Sequence, residues 1–121
     1  MLNKQYRLKN KKEIAFVYKS GKKTAGKNLI LRFILNNKQL RFAFVVSKNK
    51  VKKAVERNKI KRMLRVIINA KIDKIIKKAD IVIEYKGYIN FINSKEEYKK
   101  IKIILDKEID FLFQQNNFYS F

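Results

Sequence analysis

Apolar and polar positions alternate with two different periods along the chain. In NLILRFIL, residues 28–35, Leu29, Leu31, Phe33 and Leu35 fall on one side and Ile30, Arg32 and Ile34 on the other. That two-residue period predicts a strand. A polar turn, NNKQ at 36–39, leads into LRFAFVVS at 40–47, where Phe42, Phe44 and Val46 oppose Arg41, Ala43 and Val45. The two strands are expected to close on each other as an antiparallel hairpin. DIVIEYKGY at 80–88 reads as a further strand, and a short one near 22–27 is weakly signalled.

Three segments carry the helical period instead. In NKKEIAFVYKSG, residues 10–21, Asn10 can cap a helix with Glu13 three residues on, and Gly21 can end it. Ile14, Val17 and Tyr18 then share a face, which on periodicity alone reads as core. In residues 54–68, Ile60, Met63, Leu64, Ile67 and Ile68 form one stripe, flanked by Arg57, Asn58, Lys61, Arg62 and Arg65. SKEEYKKIKIILDKEIDFLF, residues 94–113, opens on a capping box of Ser94 and Glu97. Tyr98, Ile101, Leu105 and Leu112 recur along it, as in a closing helix laid on a sheet. The tail QQNNFYSF at 114–121 has no period and is expected to be loose, unless its aromatics fold back. The expected fold is α+β: a two-layer sandwich of a small mixed sheet, about four strands, packed with three helices. A single domain is expected over 1–121, since no repeat or linker divides the chain.

Charge changes the picture most. Lys and Arg number 31 against 10 Asp and Glu, a formal net charge of +21. Self-repulsion on this scale is relieved by a polyanion, so nucleic acid is the expected partner and an anionic membrane surface the competitor. The charge is also polarised. Residues 47–65 hold nine basic residues and one acid, Glu56, whereas 106–121 hold three acids against Lys107. Lys outnumbers Arg by 25 to 6, yet three of the six Arg lie between 57 and 65. The guanidinium fork holds a phosphate in two-pronged fashion where an ammonium is a point charge. Asn58, among these cations, suits either a phosphate or 2′-hydroxyl contact or a helix cap.

Several chemistries are thinly supplied. There is no Cys or His, hence no disulfide, thiolate nucleophile or imidazole base. Carboxylates could still hold catalytic metals, but the acids are scattered; Glu96 and Glu97 read as helix-capping residues, and Asp106 and Asp110 as a solvated face. The opening MLNKQYRLKNKK lacks a signal-peptide core, and the longest apolar run, FAFVV at 42–46, cannot span a bilayer. A cytoplasmic protein without a membrane partner is expected.

VSKNKVKKAVERNKIKRMLR, residues 46–65, resembles the signature of the bacterial ribonuclease P protein component: a strand, a basic loop, then a helix with Arg-Asn-Arg-hydrophobic-Lys-Arg. Here that run reads Arg57, Asn58, Lys59, Ile60, Lys61, Arg62, with Lys59 in place of Arg. RLKNKKEIAFVYKSGKK at 7–23, DIVIEYKG at 80–87 and SKEEYKKIKIIL at 94–105 are similar to the family's opening helix, later strand and closing helix.

The resemblance implies an α+β sandwich with a left-handed βαβ crossover, contrary to the usual rule. It implies a protein subunit with no catalytic residues of its own. The catalytic RNA partner, with Mg²⁺ bound mainly by that RNA, would remove the 5′ leader of precursor tRNA as a ribonucleoprotein endonuclease. By the same resemblance Lys48, Lys50, Lys52 and Lys53 of the loop, and Arg57, Asn58, Lys59, Lys61, Arg62 and Arg65 of the helix, would bind the catalytic RNA. Ile14, Tyr18 and Arg32 would line the leader cleft, with Ile14 replacing the family's usual aromatic. The alternative reading is a ribosomal-type structural RNA-binding protein with no part in cleavage.

Overall fold

A computed structural model describes residues 2–87 and 94–119. In chain order the elements are α1 (Lys11–Ser20), β1 (Lys22–Ala25), β2 (Leu29–Leu35), β3 (Arg41–Val46), α2 (Ala54–Asn69), β4 (Ala79–Tyr85) and α3 (Lys95–Gln115), with single 3-10 turns at Lys4–Tyr6 and Ile72–Lys74. The α+β class with three helices and a four-stranded mixed sheet is as expected from the sequence.

The sheet order is β1-β2-β4-β3, so the expected β2–β3 hairpin does not form. Instead β4 lies between them, antiparallel to β2 and parallel to β3. The reason is burial on both sides. Ala79, Ile81, Val82, Ile83 and Tyr85 of β4 are all buried, and a continuous apolar run of this kind belongs in the centre of a sheet. A parallel neighbour needs a crossover rather than a turn, and α2 supplies it between β3 and β4. The weakly signalled β1 proves to be the true hairpin partner of β2, pairing Lys22 with Phe33 and Ala25 with Ile30. Residues 36–39 form an Asx turn instead, in which the side-chain oxygen of Asn36 accepts from the amides of Lys38 and Gln39 at 2.8 and 2.9 Å.

The principal core fills the face covered by α2 and α3, where Leu29, Leu31, Phe33, Phe42, Ile81 and Ile83 meet Met63, Leu64, Leu105 and Phe113. Burying each such side chain stabilises the fold by roughly 1.5–3 kcal/mol. The opposite face carries a smaller cluster of Leu8, Val17, Ala43 and Val82 beneath α1. Asn10 caps α1 through the amides of Lys12 and Glu13, and Ser94 caps α3 through the amide of Glu97.

Residues 114–119 follow the second of the two readings of the tail, in which its aromatics fold back. Gln114 and Gln115 complete α3, and the ring of Phe118 is fully buried edge-on to Phe33 at 4.9 Å. Aromatic area outweighs the missing periodicity here. Asp106 and Asp110 stay partly solvated, as read from the sequence, but they also carry a structural pairing. Both carboxylates accept from the ammonium of Lys71, whose side chain is almost wholly buried. They tie the end of α2 to α3.

Candidate nucleic-acid interface

The five residues of the predicted stripe, Ile60, Met63, Leu64, Ile67 and Ile68, are the buried residues of α2. Their 3.6-residue period leaves the remaining arc to solvent. Lys59 and Arg62 are exposed on that arc, and Lys61 and Arg65 are half-buried at its edge. Among the described residues the ion pairs belong to Arg32, Arg41 and Lys71. Among these described residues no cation of 48–65 shares a carboxylate. Arg65 is crowded: burial, then the nearby charges of Arg7 and Arg62, push its guanidinium below its ordinary range. It stays charged, and an anionic ligand would relieve the repulsion.

The loop before α2 is pinned at its base and free at its tips. Lys53 sits at the helix cap in extended backbone without a side-chain cap bond. One turn later Arg57 holds the loop itself, its Nη1 donating to the carbonyls of Val51 and Lys52 at 2.9 and 2.8 Å. Val51 is buried, while Lys48, Lys50, Lys52 and Lys53 are exposed. The loop also approaches the end of β4. Gly87 has φ +86°, and a Cβ there would lie 2.7 Å from that of Lys50, so glycine is required on both counts. Asn58 stands exposed inside the helix, which removes the capping alternative. Arg57 is shared between the surface and the loop's own carbonyls.

A second site lies along α1. Tyr18 is exposed rather than core, and the Arg32 guanidinium carbon sits 4.3 Å from its ring centroid. Arg32 Nη1 donates to Glu84 Oε1 at 2.5 Å, and the Tyr18 hydroxyl donates to the same oxygen at 3.1 Å. Burial first, then the adjacent Glu84 carboxylate, raise the Tyr18 phenol to about 12, against the opposing charge of Arg32. One turn earlier on α1, Ile14 lines a cavity of about 210 Å³ with Arg7, Lys9, Val45 and Arg65. Through this cavity Ile14 of α1 faces Arg65 at the edge of α2.

The structure therefore brings Tyr18 and Arg32 together and sets Ile14 beside the α2 cations. It adds Arg7, Lys9 and Glu84, which sequence reasoning missed. Glu84 had a signal: it alternates with Ile83 and Tyr85 on a strand and so had to face away from the main core. Arg7 had none, because its position depends on Leu8 donating to the Phe42 carbonyl at 2.8 Å, far away in sequence. Among the described residues no group of three or more His, Cys, Asp or Glu could hold a metal ion, and no helix is long and apolar enough to cross a membrane.

Fold and site together define a strongly basic α+β protein whose crossover helix presents unpaired cations beside a cleft. A family model for Ribonuclease P matches residues 2–108, and the chain belongs to that family. It is similar to the ribonuclease P protein component of Rickettsia prowazekii, 40% identical over 112 residues, covering 81% of this chain and 91% of the relative. The component from Syntrophomonas wolfei is 37% identical over 84 residues, covering 69% and 70%. The fold is that of the solved Staphylococcus aureus RNase P protein, with TM-score 0.76 and 21% identity over 97% of this chain and 100% of the other. The Thermotoga maritima RNase P protein superposes with TM-score 0.71 at 23% identity, covering 90% and 96%. Proteins of this family act in a ribonucleoprotein endonuclease, which implies an RNA partner.

Proposed function

We propose that this chain binds the catalytic RNA of ribonuclease P through the 48–53 loop and α2, and the 5′ leader of precursor tRNA through the cleft along α1. In this reading it supports RNA- and Mg²⁺-dependent removal of the leader in the cytoplasm. The observation that carries it is the set of α2 and loop cations without carboxylate partners among the described residues, beside a cavity that Arg65 shares with Ile14 of α1, one turn before the Tyr18–Arg32 pair. Phosphate contacts made by such cations release counterions, so affinity should fall steeply with salt.

The cleft offers a leader something other than a free fork. Arg32 is held by Glu84 and stacked on Tyr18, so a base entering there meets a planar surface already oriented. Arg65, Arg7 and Lys9 supply the charge for its phosphates. The chain's own residues bind and orient. In this reading the Mg²⁺ chemistry belongs to the RNA.

Reconstitution with a bacterial ribonuclease P RNA tests the proposal. Cleavage of precursor tRNA at limiting Mg²⁺ should rise on adding the protein, and more for substrates with a leader than without. Cleavage unchanged by the protein overturns it. Co-sedimentation with ribosomal subunits and no leader preference would instead favour a structural RNA-binding role.

A further inference from the structure

The cations of α2 do not all face the α1 cleft. Lys59 and Arg62, three residues apart, turn toward α3. There they line a groove of about 600 Å³ whose opposite wall carries Lys95, Tyr98, Lys99 and Lys102, a size that suits a nucleotide-scale group. The α3 residues recur at helical spacing and so share one edge of the helix. Lys95 and Lys99 are exposed, Lys102 and Tyr98 half-buried. Tyr98 also packs against the main core, which holds an aromatic side chain among the cations of the α3 wall. The first-turn acids Glu96 and Glu97 lie outside the groove lining. None of the five lining cations shares an ion pair with a carboxylate among the described residues.

We infer that this α2–α3 groove is a second RNA contact, taking an unpaired nucleotide of the catalytic RNA. The base lies on Tyr98, and the flanking phosphates lie on Lys59 and Arg62 on one side and Lys95, Lys99 and Lys102 on the other. The inference rests on the proposed role as a catalytic-RNA-binding subunit. Convergent cations ask for an anion, and two walls of them suit a continuous backbone better than a single charge. An aromatic side chain set among cations is the combination that binds single-stranded nucleic acid, with a base stacked on the ring and phosphates on the charges. Continuity with the cations of α2 places the groove on the same RNA rather than on the leader. The substrate cleft opens on the other edge of α2, at Arg65.

The absence of cysteine makes the test clean. Lys99→Cys carries a single thiol for an iron chelate that cleaves nearby RNA, and Lys38→Cys, in the β2–β3 connection, is the distant control. With bacterial ribonuclease P RNA bound, the Lys99→Cys probe should cut that RNA at one discrete locus, whether or not precursor tRNA is present. The control should not cut there. In parallel, Lys99→Ala/Lys102→Ala should bind the same RNA more weakly, with a salt dependence shallower by roughly one to two released ions, and should melt like the wild type. Tyr98→Leu, which keeps an apolar side chain against the core but loses the ring, should also weaken binding. Cuts confined to precursor tRNA, or an unchanged salt slope and affinity, overturn the groove assignment. So does binding of an acidic peptide that catalytic RNA fails to displace. If the wild-type protein itself does not bind the RNA, the broader functional proposal falls instead.

Discussion

The Nη1 of Arg57 donates to the carbonyl oxygen of Val51 at 2.9 Å, and so a cation on the exposed helix also clasps the loop that precedes it. Its neighbour Arg62 has no such duty among the described residues. Two residues of one basic motif are therefore separable by experiment.

Arg57→Ala should cost about 1–2 kcal/mol of folding stability, the scale of charge-assisted bonds to partly exposed carbonyls. It should weaken RNA binding as well, because the Lys52 and Lys53 amines lose their fixed base. Denaturant unfolding beside RNA titration reads both. An unaltered unfolding midpoint would show that the loop stands without the clasp.

Arg62→Ala should do the reverse. Its side chain is exposed and unpaired, so the melting temperature should hold while catalytic-RNA affinity drops by roughly 1–3 kcal/mol. A large melting shift with binding intact would contradict the exposed position.

Glu84→Gln should act on the cleft. The Tyr18 phenol, at about 12 against an ordinary 10.0, owes its shift first to burial and then to Glu84. The variant should therefore titrate lower but not fully return. Because the folded value is raised, its contribution to stability is present below pH 10 and is lost as pH rises toward 12. Ultraviolet titration of the tyrosines follows this. With Glu84 neutral, Arg32 is released toward phosphate, and affinity for leader-bearing precursor tRNA should rise. A fall would mean that the Arg32–Glu84 pair itself is the recognised surface.

Glu108→Ala should destabilise the β1–β2 hairpin. The Glu108 carboxylate accepts from the amides of Asn28 and Leu29 at 2.9 and 2.7 Å and from the Asn28 side chain at 3.0 Å. A Cβ on Gly26 would meet the carboxylate at 2.6 Å, so the turn is closely fitted to this one side chain. Buried donors left without an acceptor cost about 2–4 kcal/mol together. Glu108→Gln, which keeps one oxygen, should cost less in the same unfolding measurement. Equal stability of both variants with the wild type would remove Glu108 as the anchor.

The helices were legible, their starts more sharply than their ends, because their cues are local. Asn10 and Ser94 are capping side chains beside their own amides, and the stripe from Ile60 to Ile68 is a property of one helix. The candidate cations of 48–65 were legible for the same reason. Strand partners were not. A two-residue period says which face a strand buries but not which strand lies beside it. The adjacency of β2 and β3 in the chain suggested a hairpin that β4 interrupts. For the tail the sequence left open whether the aromatics fold back, since residues after a helix without a period do not betray burial such as that of Phe118.

By itself, then, the sequence determined the helices, the α+β class, the basic pole and, through the ordered motif from Val46 to Arg65, the family. Tertiary structure alone decided that Arg57 serves the loop, that Glu84 neutralises Arg32 beneath Tyr18, and that Lys59 and Arg62 turn toward α3 instead of the cleft. The physical reason is range. Capping and amphipathic spacing act within a few residues, whereas ion pairs, ring contacts and grooves join groups that only the folded sheet and its crossover bring within ångströms of one another.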